Sequence, residues 1–171
     1  MASGIVVATV KSHFVSLAQE QNLCLMLDKI SDGIRNMGLK TTFMGLLAWR
    51  YNPGTEALLE YCSAGMPPFF IYRASTQQVE LLITKSMPLG TRMAIGRRRE
   101  KLSLQAGDTV LFISDGFMEL FDKNRNQLGL ERIQKQFERC ATQSPEAIIA
   151  DMQALAKSWS AEQKPNDDIT L

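Results

Sequence analysis

Two short acidic motifs are the places where this sequence could do chemistry. The first is Ser114-Asp115-Gly116. The apolar run 110–113 before it reads as a buried strand, so the motif sets a carboxylate at a strand end, where it is held rigidly. Glycine then permits a sharp exit into a helix. The second is Asn166-Asp167-Asp168-Ile169-Thr170, adjacent carboxylates ahead of an apolar segment. Neighbouring strand residues point to opposite faces, so only one of Asp167 and Asp168 can join a given site. Each motif alone also fits a plainer role: a strand-to-helix turn capped by Ser114 or Asp115, and a solvated turn. Together they suggest more. Two carboxylates about 4 Å apart repel by about 4 kcal/mol at an effective dielectric of about 20. A hard divalent cation removes that cost, and oxygen-only ligation suits magnesium or manganese over zinc.

The rest of the composition narrows the chemistry further. The 171 residues carry 19 Lys+Arg and 18 Asp+Glu, a net charge of +1, with no general drive toward nucleic acid or anionic membrane. The single histidine, His13, disfavours His-rich zinc sites and reads as a structural residue within a helix. Cys24, Cys62 and Cys140 are odd in number, far apart and without a C-x-x-C. That pattern speaks against a disulfide scaffold or zinc knuckle and fits a reducing, cytoplasmic compartment. No apolar run approaches a membrane span, and the apolar stretch 5–10 has no basic residue before it, unlike a signal peptide. The basic cluster Arg92, Arg97, Arg98, Arg99 and Lys101 reads as an edge strand protected by charge. Its alternative is a surface for a phosphorylated acidic partner.

The elements that must position the two motifs follow from periodicity and punctuation. Spacings of three and four predict a helix over 2–20, with Phe14 inward, and a second over 22–37, capped by Asn22, with Leu27 and Ile30 inward. The period then changes. Strands are expected at 42–49 and 57–63 around the turn Asn52-Pro53-Gly54, and at 69–73 and 79–83 across 74–78. Further strands are expected at 97–104, 109–113 and, beginning at 169, to the end of the chain. Helices are expected at 117–122, 129–140 and 145–159, the last with Ser144 as cap and Pro145 at the first helical position. Segregated runs of helix and strand predict an α+β fold with helices on antiparallel sheet, in one domain spanning 1–171. No G-x-G-x-x-G or P-loop sequence is present.

In this order the motifs resemble the SpoIIE/RsbU-like branch of the metal-dependent protein serine/threonine phosphatases of type 2C. Ser114-Asp115-Gly116 and Asp167-Asp168-Ile169-Thr170 are similar to the last two metal motifs of that family. Thr42-Phe43-Met44, opening a central strand, Ser63-Ala64-Gly65-Met66-Pro67-Pro68, Met87-Pro88-Leu89-Gly90 and Ala106-Gly107-Asp108-Thr109 resemble its supporting blocks. Met66 stands where the family often has histidine. The family's early aspartate and Gly-His-Gly segment have no counterpart before the first helix, so an N-terminally truncated domain, lacking its first and last strands, is expected.

The resemblance implies an α-β-β-α sandwich of antiparallel sheets flanked by helices. It implies hydrolysis of phosphoserine or phosphothreonine on a bacterial regulatory protein, typically an anti-anti-sigma factor, using two manganese or magnesium ions. Asp115 and Asp167 would be the catalytic metal ligands and Asp168 a weaker one, able to hold the loop by capping. The parent chain is expected to carry an upstream sensor domain and to be cytoplasmic or membrane-anchored through a further segment. The rival expectation is a non-catalytic partner-binding module, whose exposed core could also drive formation of a homodimer. A weaker alternative is a metal-dependent hydrolase of small phosphoesters.

Overall fold

The computed structural model describes residues 2–38, 42–53, 57–92, 96–161, 165 and 167–171. Gly54 of the expected turn and Asn166 of the second acidic motif lie outside the described residues. The chain folds as two compact units: 1–66 with 84–104, and 67–83 with 105–171. No helix among the described residues is long and apolar enough to cross a membrane.

The first unit holds helices α1 (Ala2–Ser16) and α2 (Leu23–Asn36) and strands β1 (Leu46–Asn52), β2 (Leu58–Ala64) and β5 (Glu100–Ser103). They form an antiparallel sheet in the order β1-β2-β5. Asn22 caps α2 by accepting from the backbone N–H groups of Cys24 and Leu25 at 3.0 and 3.3 Å. One stripe of α2, including Met26, Leu27, Ile30 and Ile34, is buried, as a 3.6-residue period requires. α1 is shorter than expected: the chain tightens at its end into three-residue turns, Ala18 N–H to Val15 O and Glu20 N–H to Leu17 O. Its inward face also differs. Val6 and Val10 are buried, while Phe14 is 45% exposed. Apolar residues at three- and four-residue spacings offered two faces, and Val6, Val10 and Leu17 form the one that packs.

β1 likewise starts later than its apolar run. Thr42 and Phe43 lie outside it, and Met44 makes only an isolated bridge to Leu89. β1 is an edge of its three-stranded sheet, with β2 central, so the 42–44 segment does not open a central strand here. The expected strand at 97–104 shrinks to β5 because Arg97 turns inward. Its side chain is 9% exposed and pairs with Asp28 of α2. Lys101 faces Glu60 across the β2–β5 ladder and pairs with it at 3.3 Å. Two members of the basic cluster are thus internal partners.

The second unit holds β3 (Phe69–Arg73), β4 (Gln78–Leu82) and β6 (Thr109–Leu111), with α3 (Asp115–Met118), α4 (Gly129–Cys140) and α5 (Pro145–Ser160). Its antiparallel sheet runs β4-β3-β6. Four consecutive β3 residues, Phe69 to Tyr72, are buried, as a central strand covered on both faces must be. Phe70, Phe137 and Met152 centre the core. Ser144 caps α5 through its hydroxyl, which accepts from Ala147 N–H at 3.3 Å. Asp108 is the polar anchor of this unit. Its carboxylate accepts from the Ala74 and Gln105 amides and pairs with Arg73 at 3.0 Å. Burial works to raise its pKa, but those amides and the guanidinium outweigh it and hold the carboxyl below its ordinary value. The helix expected at 117–122 is a single turn that begins earlier, at Asp115. The expected last strand joins no ladder.

Candidate functional site

β6 and the two residues after it carry the chain to Ser114, which leaves in an extended conformation (φ −84°, ψ 163°) before α3 begins at Asp115. Ser114 makes no side-chain cap bond to α3. It fastens the C-terminal segment instead. Its backbone N–H donates to Thr170 O at 3.0 Å, its hydroxyl accepts from Thr170 N–H at 2.9 Å, and the same hydroxyl donates to Asp168 O at 3.2 Å. Residues 169–171 are therefore held by a local clasp.

Gly116 explains how closely the two motifs meet. A Cβ there would lie 2.4 Å from Asp168 O and 3.4 Å from the carbonyl carbon of Asp167. No side chain fits, so the glycine is required by approach of another backbone. Asp115, Asp167 and Asp168 are exposed. Asp115 Oδ1 accepts from Gly116 N–H at 3.0 Å, and Asp167 Oδ1 accepts from Asp168 N–H at 2.8 Å. One oxygen of each carboxylate is thus oriented by an adjacent amide. In the clasp Asp168 holds the loop through its backbone carbonyl, which accepts from the Ser114 hydroxyl.

The structure brings together the segments bearing all three aspartates. Their carboxylate oxygens are hard donors, a chemistry that fits magnesium or manganese. Among the described residues, no group of three or more His, Cys, Asp or Glu side chains is placed to hold a metal ion. These acids alone fall short of the about six oxygens an octahedral ion requires. Sequence reasoning missed the roles of Ser114 as fastener and Gly116 as contact point. The signal for both was the tripeptide itself, but its partner lay across the chain. A cavity of about 390 Å³ borders the clasp, with Phe117, Leu120, Ile149, Ile169 and Leu171 in its wall.

The glycines of two other motif blocks are required by backbone conformation and close approach. Gly65 has φ +71°, and a Cβ there would sit 2.5 Å from Pro88 Cγ. Gly90 has φ +85°, and a Cβ would sit 2.5 Å from Thr42 O. His13 packs across Gly33, whose hypothetical Cβ would lie 2.7 Å from His13 Nε2, while Nδ1 contacts Thr9 O at 2.9 Å.

This arrangement of helices and antiparallel sheets is the fold of type 2C protein phosphatase domains. The SiaA-PP2C domain of Pseudomonas aeruginosa superposes with a TM-score of 0.80 at 16% identity, over 98% of this chain and 64% of that one. The phosphatase domain of the cell-fate determinant SpoIIE from Bacillus subtilis, presoaked with Mn, matches with a TM-score of 0.61 at 19% identity, over 95% and 70% of the two chains. A structure of the RsbU and RsbW domains of Rv1364c from Mycobacterium tuberculosis matches with a TM-score of 0.77 at 19% identity, over 96% and 45%. The chain thus spans somewhat less than two thirds of the SiaA-PP2C chain and less than half of the RsbU–RsbW chain. No curated protein matches it significantly in sequence. Residues 1–171 match the family model of Stage II sporulation protein E (SpoIIE), and the chain belongs to that family.

Proposed function

We propose that the chain is part of a metal-dependent protein serine/threonine phosphatase domain acting on phosphoserine or phosphothreonine of a bacterial regulatory protein, such as an anti-anti-sigma factor. The supporting observation is the clasp that sets Asp115 beside the Asp167–Asp168 backbone on a type 2C phosphatase fold. When bound, manganese or magnesium (two ions in the complete domain) supplies an activated water and positive charge for the phosphoryl oxygens. Asp115 and Asp167 offer the carboxylate oxygens that hold such ions, and Asp168 contributes less. Ser114 and Gly116 keep the two acids in register, and a shift of about 1 Å at such a site can cost about a hundredfold in rate. Likeness to a structure holding RsbU and RsbW domains supports a substrate of the partner-switching kind.

A second reading is a partner-binding module without turnover. It is favoured because, among the described residues, Asp115, Asp167 and Asp168 are not gathered into a group that could hold a metal ion. One experiment separates the two. The chain is titrated with manganese while its melting temperature and its release of phosphate from a phosphoserine protein are followed. Saturation at a hundredfold excess over Kd should raise the melting temperature by about 5–11 °C. Asp115→Asn and Asp167→Asn should abolish the rise, and Asp168→Asn should keep most of it. Turnover of this chain should fall well below the usual range of about 1–1,000 per second. A melting temperature flat across millimolar manganese overturns the metal site. Metal binding with no phosphate release from any phosphoprotein supports the binding module.

A further inference from the structure

Among the described residues, features beyond the acidic clasp include the apolar cavity beside it, the outward face of α1, and a pair of thiols in the first unit. The thiols carry an inference furthest. Cys24 stands in the first turn of α2 and Cys62 in the central strand β2, 38 positions apart, yet their Sγ atoms are 2.8 Å apart. Closing that gap to the about 2.05 Å of a disulfide takes a movement of less than about 1 Å. Cys24 is half-buried and Cys62 fully buried, so one thiol meets solvent and the other waits behind it.

We infer that Cys24 and Cys62 form a reversible disulfide, a modification site that ties the start of α2 to the middle of its sheet. A small-molecule disulfide such as oxidised glutathione is the oxidant. The Cys24 thiolate attacks one of its sulfurs, the oxidant's S–S bond breaks, and one glutathione thiolate leaves. The Cys62 thiolate then attacks Cys24 Sγ in the mixed disulfide and expels the second glutathione. Two protein thiols are oxidised, one glutathione disulfide is reduced, and the two protons lost by Cys24 and Cys62 end on the two glutathione thiols. Burial raises the Cys62 thiol well above its ordinary value. Cys24 beside it adds to the rise, as does Asp28 of α2, while Arg97, ahead of β5, opposes it. The order of attack follows, with Cys24 reacting first and closure by Cys62 as the slow step.

The test treats the folded chain with oxidised glutathione and counts thiols by mass. The third cysteine, Cys140, lies buried in the second unit and serves as the internal control. Two of the three thiols should disappear, and a non-reduced digest should yield a Cys24–Cys62 linked peptide. The unfolding equilibrium constant should fall by about a hundredfold to a thousandfold for a loop of this length, and reduction should restore it. Cys62→Ala should stop at one glutathione on Cys24, and Cys24→Ser should take up none. Persistence of all three thiols, a wild type that stops at the mixed disulfide, or a link through Cys140 overturns the inference. Cys24→Ser alters only a half-buried position, so a folded control is retained even where Cys62→Ala weakens the core.

Discussion

α4 in the second unit and α1 in the first pack in different ways. α4 buries Ile133, Phe137 and Cys140 along one stripe and turns its charged residues outward. α1 is apolar around most of its circumference. Val6 and Val10 are buried, while Ile5, Val7, Phe14 and Val15 are 57, 53, 45 and 67% exposed. A single stripe dictates which face packs. A ring of apolar residues leaves the decision to the partner, and here the close seat of His13 over Gly33 helps to make it. The expectation that Phe14 points inward failed for this reason, while Leu27 and Ile30 on the amphipathic α2 are buried as expected.

The sharpest test of that contrast is a truncation series. Phe137→Ala, at a fully buried position, should cost about 3–5 kcal/mol, and Leu27→Ala about 2–5 kcal/mol. Phe14→Ala should cost under about 1 kcal/mol, because much of its ring already meets water. Urea unfolding of the three variants measures this. A Phe14 cost equal to that of Leu27 would place the ring in a core.

Acid should separate the units next. The Asp108 carboxylate is shielded within the second unit beside Arg73, whereas Glu20–Lys29 of the first is a surface pair. Asp108→Ala removes two backbone bonds and one carboxylate from Arg73, which keeps Glu80, and should cost about 1–3 kcal/mol. The folded-state pKa of Asp108 lies below its unfolded value of 3.8. Its stabilisation is therefore fully present above that unfolded value and is lost as pH falls through the folded one. Stability measured from neutral pH down to strong acid should show this loss in the wild type. The Asp108→Asn variant should lack that part of the slope. An identical pH profile in both would remove Asp108 from the account.

The smallest effects come from one substitution made at two glycines. Gly116→Ala forces a methyl against Asp168 O and should cost about 1–3 kcal/mol while loosening the clasp. Gly4→Ala, in α1 with nothing within 4 Å of its Cβ, should stabilise by about 0.4–1 kcal/mol. Melting temperatures that move the same way in both would show that Gly116 does not mark a close approach.

Much of the fold was legible from local pattern. β3 was expected at 69–73 and forms there, α4 at 129–140, and α5 within a residue of its end. Each has a clear period and strong punctuation, such as Ser144-Pro145 before α5. Where the period was blurred, bounds shifted. The apolar run 42–49 enters its ladder only at Leu46, because Met44 bridges Leu89 and Gly45 lies close to Met66 and Gly65. Residues 169–171 look like a strand by composition, yet the backbone N–H and C=O of Thr170 are taken by Ser114.

The sequence by itself determined which residues could do chemistry, because carboxylate, thiol and glycine are properties of residue type. It also determined most helices and strands, because hydrophobic period and capping act over a few residues. Only the tertiary structure decided who meets whom. The segments bearing Asp115 and Asp167 meet because Ser114 bonds across 56 positions to Thr170 and Gly116 leaves room for the Asp168 backbone. Cys24 and Cys62, which the sequence presented as scattered and free, stand 2.8 Å apart because a capped helix start packs over the centre of a sheet. Contacts of that range depend on how folded elements pack, and no local period encodes them.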